Sequence, residues 1–214
     1  MGGMAGQVGL VLGLALAVPG AQAALEPDAP VPTDLVPVDV EIELPDTDAM
    51  IDPLRSRVGF AVRMRWLARV EGGFERFHGV VAALEGGWRR VEVEVESASV
   101  EVGGRQRMTE WAASDEFFDI ETYPVIVFVS DPFAPALAIQ GGQLLGDLSL
   151  RGTTARVAFD MLPAACARPG RECPIVVEGR VSRAMFGMDA HRMAVQDRVE
   201  LRFEVMLADL DDVP

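Results

Sequence analysis

From Arg57 to Leu207 apolar and polar residues alternate with a period of two, the pattern of strands with one dry and one wet face. The clearest run sets Val91, Val93 and Val95 against Glu92, Glu94 and Glu96. A second sets Val199, Leu201, Phe203, Val205 and Leu207 against Glu200, Arg202 and Glu204. Weaker alternation runs through Arg57–Trp66, Phe74–Leu84, Leu144–Leu150, Ala155–Met161 and Ile175–Ser182. Val125 to Val129 is apolar at every position but follows the same logic for a strand covered on both faces. Gly86-Gly87, Gly141-Gly142 and Pro169-Gly170 punctuate these runs at hairpin intervals.

One stretch breaks the pattern. In Arg105–Phe118, Met108, Trp111, Ala112 and then Phe117-Phe118 recur near helical spacing, and Tyr123-Pro124 restores an extended chain. The order predicts an all-β fold of about eight antiparallel strands, with one short helical insertion around 105–118, as a sandwich or barrel. A barrel is favoured because several strands carry one clearly polar face. Eight strands would enclose space for side chains or one slim ligand.

The ends of the chain read differently. Val8–Val18 is a short apolar run, followed by Pro19-Gly20 and the small-x-small sequence Ala21-Gln22-Ala23. This predicts a signal peptide over residues 1–23 and a mature protein starting at Ala24, periplasmic or secreted. An uncleaved membrane anchor is the alternative, because Met1–Gln7 contains no Lys or Arg. Residues 24–48 hold five prolines and eight acids without a base, which predicts an acidic Pro-rich linker. Residues 49–208 are the expected folded domain, and 209–214 an acidic tail.

The formal charge of −14 belongs to these ends. The eight linker acids with Asp209, Asp211 and Asp212 account for eleven, leaving 22 acids against 19 arginines over 49–208. The chain has no Lys. An acidic chain lacks the basic footprint that nucleic acid requires. Cys166 and Cys173 bracket Ala-Arg-Pro-Gly-Arg-Glu, a spacing that suits a disulfide closing a Pro-Gly turn in an exported protein. A redox or metal pair lacks the C-x-x-C spacing and a nearby His.

Five stretches, in order, resemble the YceI-like family. They are Ile51-Asp-Pro-Leu-Arg-Ser-Arg-Val-Gly-Phe-Ala-Val, Gly72-Gly-Phe-Glu-Arg-Phe-His-Gly, Ser114-Asp-Glu-Phe-Phe-Asp-Ile-Glu-Thr-Tyr-Pro, Gly146-Asp-Leu-Ser-Leu-Arg-Gly-Thr-Thr and Ser182-Arg-Ala-Met-Phe-Gly-Met. The resemblance covers residues 50–208 and implies an extended lipocalin-like barrel. It further implies an exported protein, often dimeric, that holds a polyisoprenoid or similar long apolar molecule non-covalently in its lumen, with no cofactor required. Transient contact with a membrane or membrane protein would follow. At two positions where the family commonly has His, this chain has Met64 and Trp111. These departures point to a ligand with a less polar head, or to another ligand.

Candidate ligand contacts are Phe60, Phe74, Phe77, Trp111, Phe117, Phe118, Phe128 and Phe186, with Met185 and Met188 as adaptable lining. Catalysis finds little footing. His78 reads as an exposed His at a strand end, Glu92, Glu94 and Glu96 as a solvated face, and Ser149 and Ser182 lack a nucleophile elbow. The expectation is a binding protein and not an enzyme. Two alternatives stay open: a filled-barrel structural module of the cell envelope, and a copper-binding accessory protein using Met185, His191 and Met193.

Overall fold

The computed structural model describes residues 47–65 and 69–208. The expected signal peptide, linker residues 24–46, Trp66 and the acidic tail 209–214 lie outside the described residues.

Eleven strands form one antiparallel sheet: β1 (Ala49–Met50), β2 (Arg57–Met64), β3 (Arg69–Phe74), β4 (Phe77–Ala83), β5 (Arg89–Glu96), β6 (Val100–Glu101), β7 (Val125–Ser130), β8 (Gly142–Leu150), β9 (Thr153–Met161), β10 (Ile175–Ser182) and β11 (Val195–Val205). Two short helices, α1 (Gln106–Ala113) and α2 (Leu137–Gln140), lie between strands. The count exceeds the expected eight because two long arms are bent and the two-residue β1 adds to β4. β3 runs on into β4, and β5 into β6, across interruptions of two and three residues. The bend is stitched by Ser99, whose Oγ accepts from the Arg76 amide at 3.0 Å and donates to the Glu96 carbonyl at 2.7 Å.

Counted as arms, the pairings close a ring. β2 pairs with β3, the bent arms β3–β4 and β5–β6 pair along their lengths, and β5 pairs with β7. Sequential hairpin-type pairing then carries the sheet from β7 to β11. Finally β11 returns to β2, with Val199 opposite Val62 and Glu204 opposite Arg57. Eight arms paired in a circle make a barrel, so the sandwich alternative falls.

The strand directions give the barrel two rims. The lower carries the β1–β2 and β4–β5 turns, α2 and the segment between β9 and β10. The upper carries the β8–β9 turn, α1 with the chain leading to β7, and the β10–β11 connection. The lower rim is closed by backbone bonds: Asp52 N–H donates to the Met206 carbonyl, Ala208 N–H to Met50, and Leu207 N–H to Gly170. Ser56 adds a two-way link to Met206. The Cys166–Cys173 disulfide staples the segment that supplies Gly170.

The expected alternation is realised on both faces. Val93 and Val95 turn inward while Glu92, Glu94 and Glu96 are exposed. Strand β7 differs from its expectation, because its outward Val125 is 45% exposed. Its outward residues sit between those of neighbouring strands, with Glu94 opposite Val127 and Asp147 opposite Val129. Side-chain stems from those neighbours shade the row instead of a second layer. His78 lies within β4 and not in a loop, exposed beside Glu94 at 3.2 Å.

Inside, ring and glycine alternate. Gly72 faces Phe60 and Gly179 faces Phe159 directly across strand pairs. Gly146 stands diagonal to Phe128, two residues along from its partner. A Cβ on Gly72 would come within 2.5 Å of Phe60 Cζ, one on Gly146 within 2.5 Å of Phe128 Cε2, and one on Gly179 would overlap Phe159 Cδ1. Three rings therefore lie down on the wall where the opposite strand has no side chain.

Two stability outcomes follow. Reducing the disulfide is expected to destabilise the fold by about 2–3 kcal/mol on the loop-entropy model, lowering Tm by roughly 5–10 °C; an unchanged melting curve in reductant would contradict this. Gly179→Ala must displace the Phe159 ring and is expected to cost about 1–3 kcal/mol in denaturant melts. A neutral result would mean that the ring is not held against the glycine.

Candidate functional site

The inward residues of all eight arms enclose one continuous apolar lumen of about 220 Å³. An apolar cavity of about 150 Å³ already stays dry and admits a benzene-sized guest. Aliphatic wall comes from Val58 and Val62 on β2, Val91 and Val93 on β5, Ile126 on β7, Leu144 and Leu148 on β8, and Val199 and Leu201 on β11. Toward the lower rim the lining is buried at Ile51, Ser56, Ala138 and Leu207 and half-buried at Phe133, Ile175 and Val205. Toward the upper rim it is buried at Val102, Arg183, Met188 and Val195 and half-buried at Met64, Met108, Trp111 and Phe117.

Of the ten residues singled out from the sequence, Phe60, Phe74, Phe77, Trp111, Phe117, Phe118, Phe128 and Met188 all line this space. Two do not. Arg183–Phe186 is a 3-10 turn, in which residues three apart share a side. Arg183 and Phe186 therefore both turn in, and Phe186 is 1% exposed within the wall core, whereas Met185 is 49% exposed. Neither Phe186 nor Met185 is among the lining residues.

Besides the Trp111–Phe117 pair at the upper rim, the lining holds two groups of phenylalanines. Phe60, Phe74 and Phe118 meet with ring centroids 5.3–5.8 Å apart. Phe128, Phe159 and Phe203 form the second group, at 5.2 and 5.5 Å. Phe159, Phe203 and Phe133 were not singled out from the sequence, although strand parity alone would have found the first two. Phe118 belongs to no strand. It reaches the lumen because α1 packs Met108, Ala112 and Ala113 against Val70, Val100 and Val102. The helix has no side-chain N-cap and depends on that packing, helped by Thr109 Oγ1 accepting from the Val102 amide.

The upper rim is joined through one carboxylate. Glu116 Oε2 accepts the Trp111 indole N–H at 2.7 Å and lies 3.0 Å from His191 Nε2. The Trp111 ring meets Phe117 at 4.7 Å and His191 at 5.1 Å, both edge-on. Hydrogen bonding from Trp111, then from His191, holds the Glu116 carboxyl below its ordinary value of 4.5. The α1 segment is thus tied across the barrel mouth to the β10–β11 connection.

Arg183 is the charged group most deeply set in this wall, 2% exposed. Its guanidinium donates to the carbonyls of Met188, Val195 and Gln196 and lies 5.8 Å over the Phe117 ring. Burial pulls its pKa below the usual arginine value, opposed by Asp197 and Asp189. Those carbonyl bonds give it a structural task, pinning the β10–β11 connection. Sequence patterning could not separate it from surface arginines.

Among the described residues no three His, Cys, Asp or Glu side chains gather as a metal site. Of the expected copper ligands, Met185 and Met193 are exposed and the His191 ring is engaged by Glu116. The lumen offers hydrophobic contact and no arrangement of nucleophile, base and orienting group.

The state of Glu116 is testable. A carboxyl with a lowered folded pKa contributes its link fully above the ordinary value of 4.5 and loses it as pH falls through the lower folded value. With Trp66 and Trp88 replaced by Phe, Trp111 emission is expected to shift on acidification below that range. Glu116→Gln is expected to flatten the titration, and an unaltered titration would show that the link does not govern Trp111.

The YceI-like domain model matches residues 50–207. No curated protein sequence gives a significant match to the chain. Among solved structures, Burkholderia cenocepacia BcnA is similar at TM-score 0.58 and 21% identity, covering 74% of this chain and 99% of that one. A polyisoprenoid binding domain from Saccharophagus degradans implicated in plant cell wall breakdown gives TM-score 0.57 and 13% identity, covering 74% and 96%. The Campylobacter jejuni YCEI protein gives 0.52 and 16%, covering 69% and 90%. Identities this low establish a shared fold.

Proposed function

Because the chain belongs to the YceI-like family, we propose that it is an exported binding protein whose barrel holds one long apolar ligand, a polyisoprenoid, quinone or related lipid. The observation that carries this reading is the continuous apolar lumen running from the closed lower rim to Trp111. A prenyl chain needs no special motif to bind there, only a dry tube. Each buried methylene contributes roughly 0.8 kcal/mol of gross transfer energy, from which ordering costs subtract. The similarity to a structure described as a polyisoprenoid binding domain supports the ligand class.

Met64 and Trp111 both line the upper lumen. Arg183, beside them, commits Nε and both terminal nitrogens to backbone carbonyls. The upper lumen is therefore suited to a weakly polar head group. The disulfide between Cys166 and Cys173 supports an oxidising compartment, the periplasm or the exterior. A homodimer and transient membrane contact are part of the same proposal. The filled-barrel alternative gains nothing from a wall whose rings lie back against glycines, and the copper alternative gains nothing from Met185 and Met193.

Native mass spectrometry with lipid extraction, on protein purified from its own host, tests the reading. A stoichiometric long-chain isoprenoid is expected. A ligand-free mass together with no uptake of added quinones or polyprenols would overturn it. A prenyl phosphate and its alcohol are expected to bind with equal affinity. Val93→Trp, which fills the lumen from mid-wall, is expected to weaken uptake at least about tenfold, or about 1.4 kcal/mol.

A further inference from the structure

We infer that an outer groove on the upper half of the barrel is a docking site for an anionic membrane surface. The groove is lined by Arg63, Arg69, Arg180, Arg198, Gln196 and Glu200, from four adjacent strands. The inference rests on the carrier reading for its purpose, since it names the surface at which a lumen lipid would be exchanged.

Strand register places the arginines together. Arg63 faces Arg69 across β2–β3, and Arg180 faces Glu200 across β10–β11. All four arginines are exposed. Arg69 is paired, at 3.0 Å from Glu71 and 2.5 Å from Glu200. Arg63, Arg180 and Arg198 have no carboxylate partner among the described residues. Three other outer-wall arginines are matched, Arg156 with Asp131 and Asp147, Arg202 with Glu178 and Glu204, and Arg76 with Glu96, while Arg57 and Arg90 stand singly on β2 and β5 and not in a cluster. An unmatched cluster on a domain of 22 acids and 19 arginines is a local excess of positive charge.

Its position points to the occupant. The groove and the upper lumen are two faces of the same strand ends: Arg63 alternates with Met64, and Gln196 with Val195, and Met64 and Val195 face the lumen. The described chain enters at Asp48, which leads into β1, and ends at Ala208, which is bonded to Met50, both at the other rim. A bilayer engaging this groove therefore lies against the strand ends that carry the upper lumen.

Vesicle co-sedimentation with the full mature chain tests this. Phosphatidylcholine vesicles containing phosphatidylglycerol are expected to bind it at low salt, and phosphatidylcholine alone is not. Added salt should release it, since exposed charges are screened over a Debye length. Each arginine near such a surface contributes about fivefold, so Arg63→Gln with Arg198→Gln is expected to weaken partitioning roughly 30-fold. Arg63→Lys with Arg198→Lys keeps the charge and should retain binding. Arg76→Gln with Arg168→Gln removes equal charge elsewhere and should change little.

Equal loss in both Gln pairs, or no preference for anionic vesicles, would overturn the docking site. So would retention of polyglutamate without vesicle binding, which would mark an acidic protein as the occupant. Lipid found in the barrel without vesicle preference would refute docking alone. Vesicle docking by a barrel that never takes up lipid would keep the surface and refute the carrier reading.

Discussion

The lumen depends on a steric constraint: three of its rings lie along the barrel wall over positions where a neighbouring strand carries no side chain. Gly72, Gly146 and Gly179 provide those gaps for Phe60, Phe128 and Phe159. Without them, eight arms would point rings at one another and fill an interior that is only just wide enough for side chains. With them, the rings lie back on the strands and meet edge-on or tilted at the wall. The space that remains is a consequence of packing, since dense interiors do not retain voids by default.

The same wall explains what could be read in the sequence and what could not. Period-two alternation identified β5, β8, β9, β10 and β11 because each has one wet face, while Phe60, Phe74, Phe77 and Phe128 were named as aromatic candidates and all line the lumen. A barrel was favoured from the polar faces and implied by the family resemblance, but the closing pair was not legible, since β11 returns to β2 over more than 130 residues. The bends were hidden as well, because they rest on Ser97 and Ser99, two small buried polar residues with backbone partners. Met185 and Phe186 were named for their residue type, and the 3-10 turn at Arg183–Phe186 sends Met185 outward and Phe186 into the wall. The Glu116 hub had no local signal, as its partner His191 is 75 positions away.

The two rims differ in kind. The lower is held by backbone hydrogen bonds, the Ser56–Met206 link and a disulfide, with Leu207 at 1% exposure beneath Gly170. Opening it would expose several backbone donors and acceptors at once. The upper rim has the Arg65–Ala194 backbone bond and Arg183 on three carbonyls, but α1 is joined to it through side chains: Trp111 and His191 on one carboxylate, Phe117 against both rings, and a helix stabilised by packing. Exposed side-chain contacts are individually weak. Local opening is drawn from the least stable elements of a fold, so opening is expected first where α1 crosses the upper rim.

That asymmetry bears on selectivity. A tube of valine, leucine and phenylalanine gains with each methylene it buries and has few means of telling one hydrocarbon from another. Discrimination then falls to length, set by the closed lower rim, and to the head group, set by the few residues at the upper one. There Arg183 is occupied by carbonyls and Met64 and Trp111 offer polarizable apolar surface. Buried donors or acceptors left unpaired by the wrong ligand are the strongest source of rejection, and this mouth presents few. The physical expectation is a receptor selective for chain length and tolerant of the head, whose ligand in the cell is decided largely by which lipids reach the upper rim.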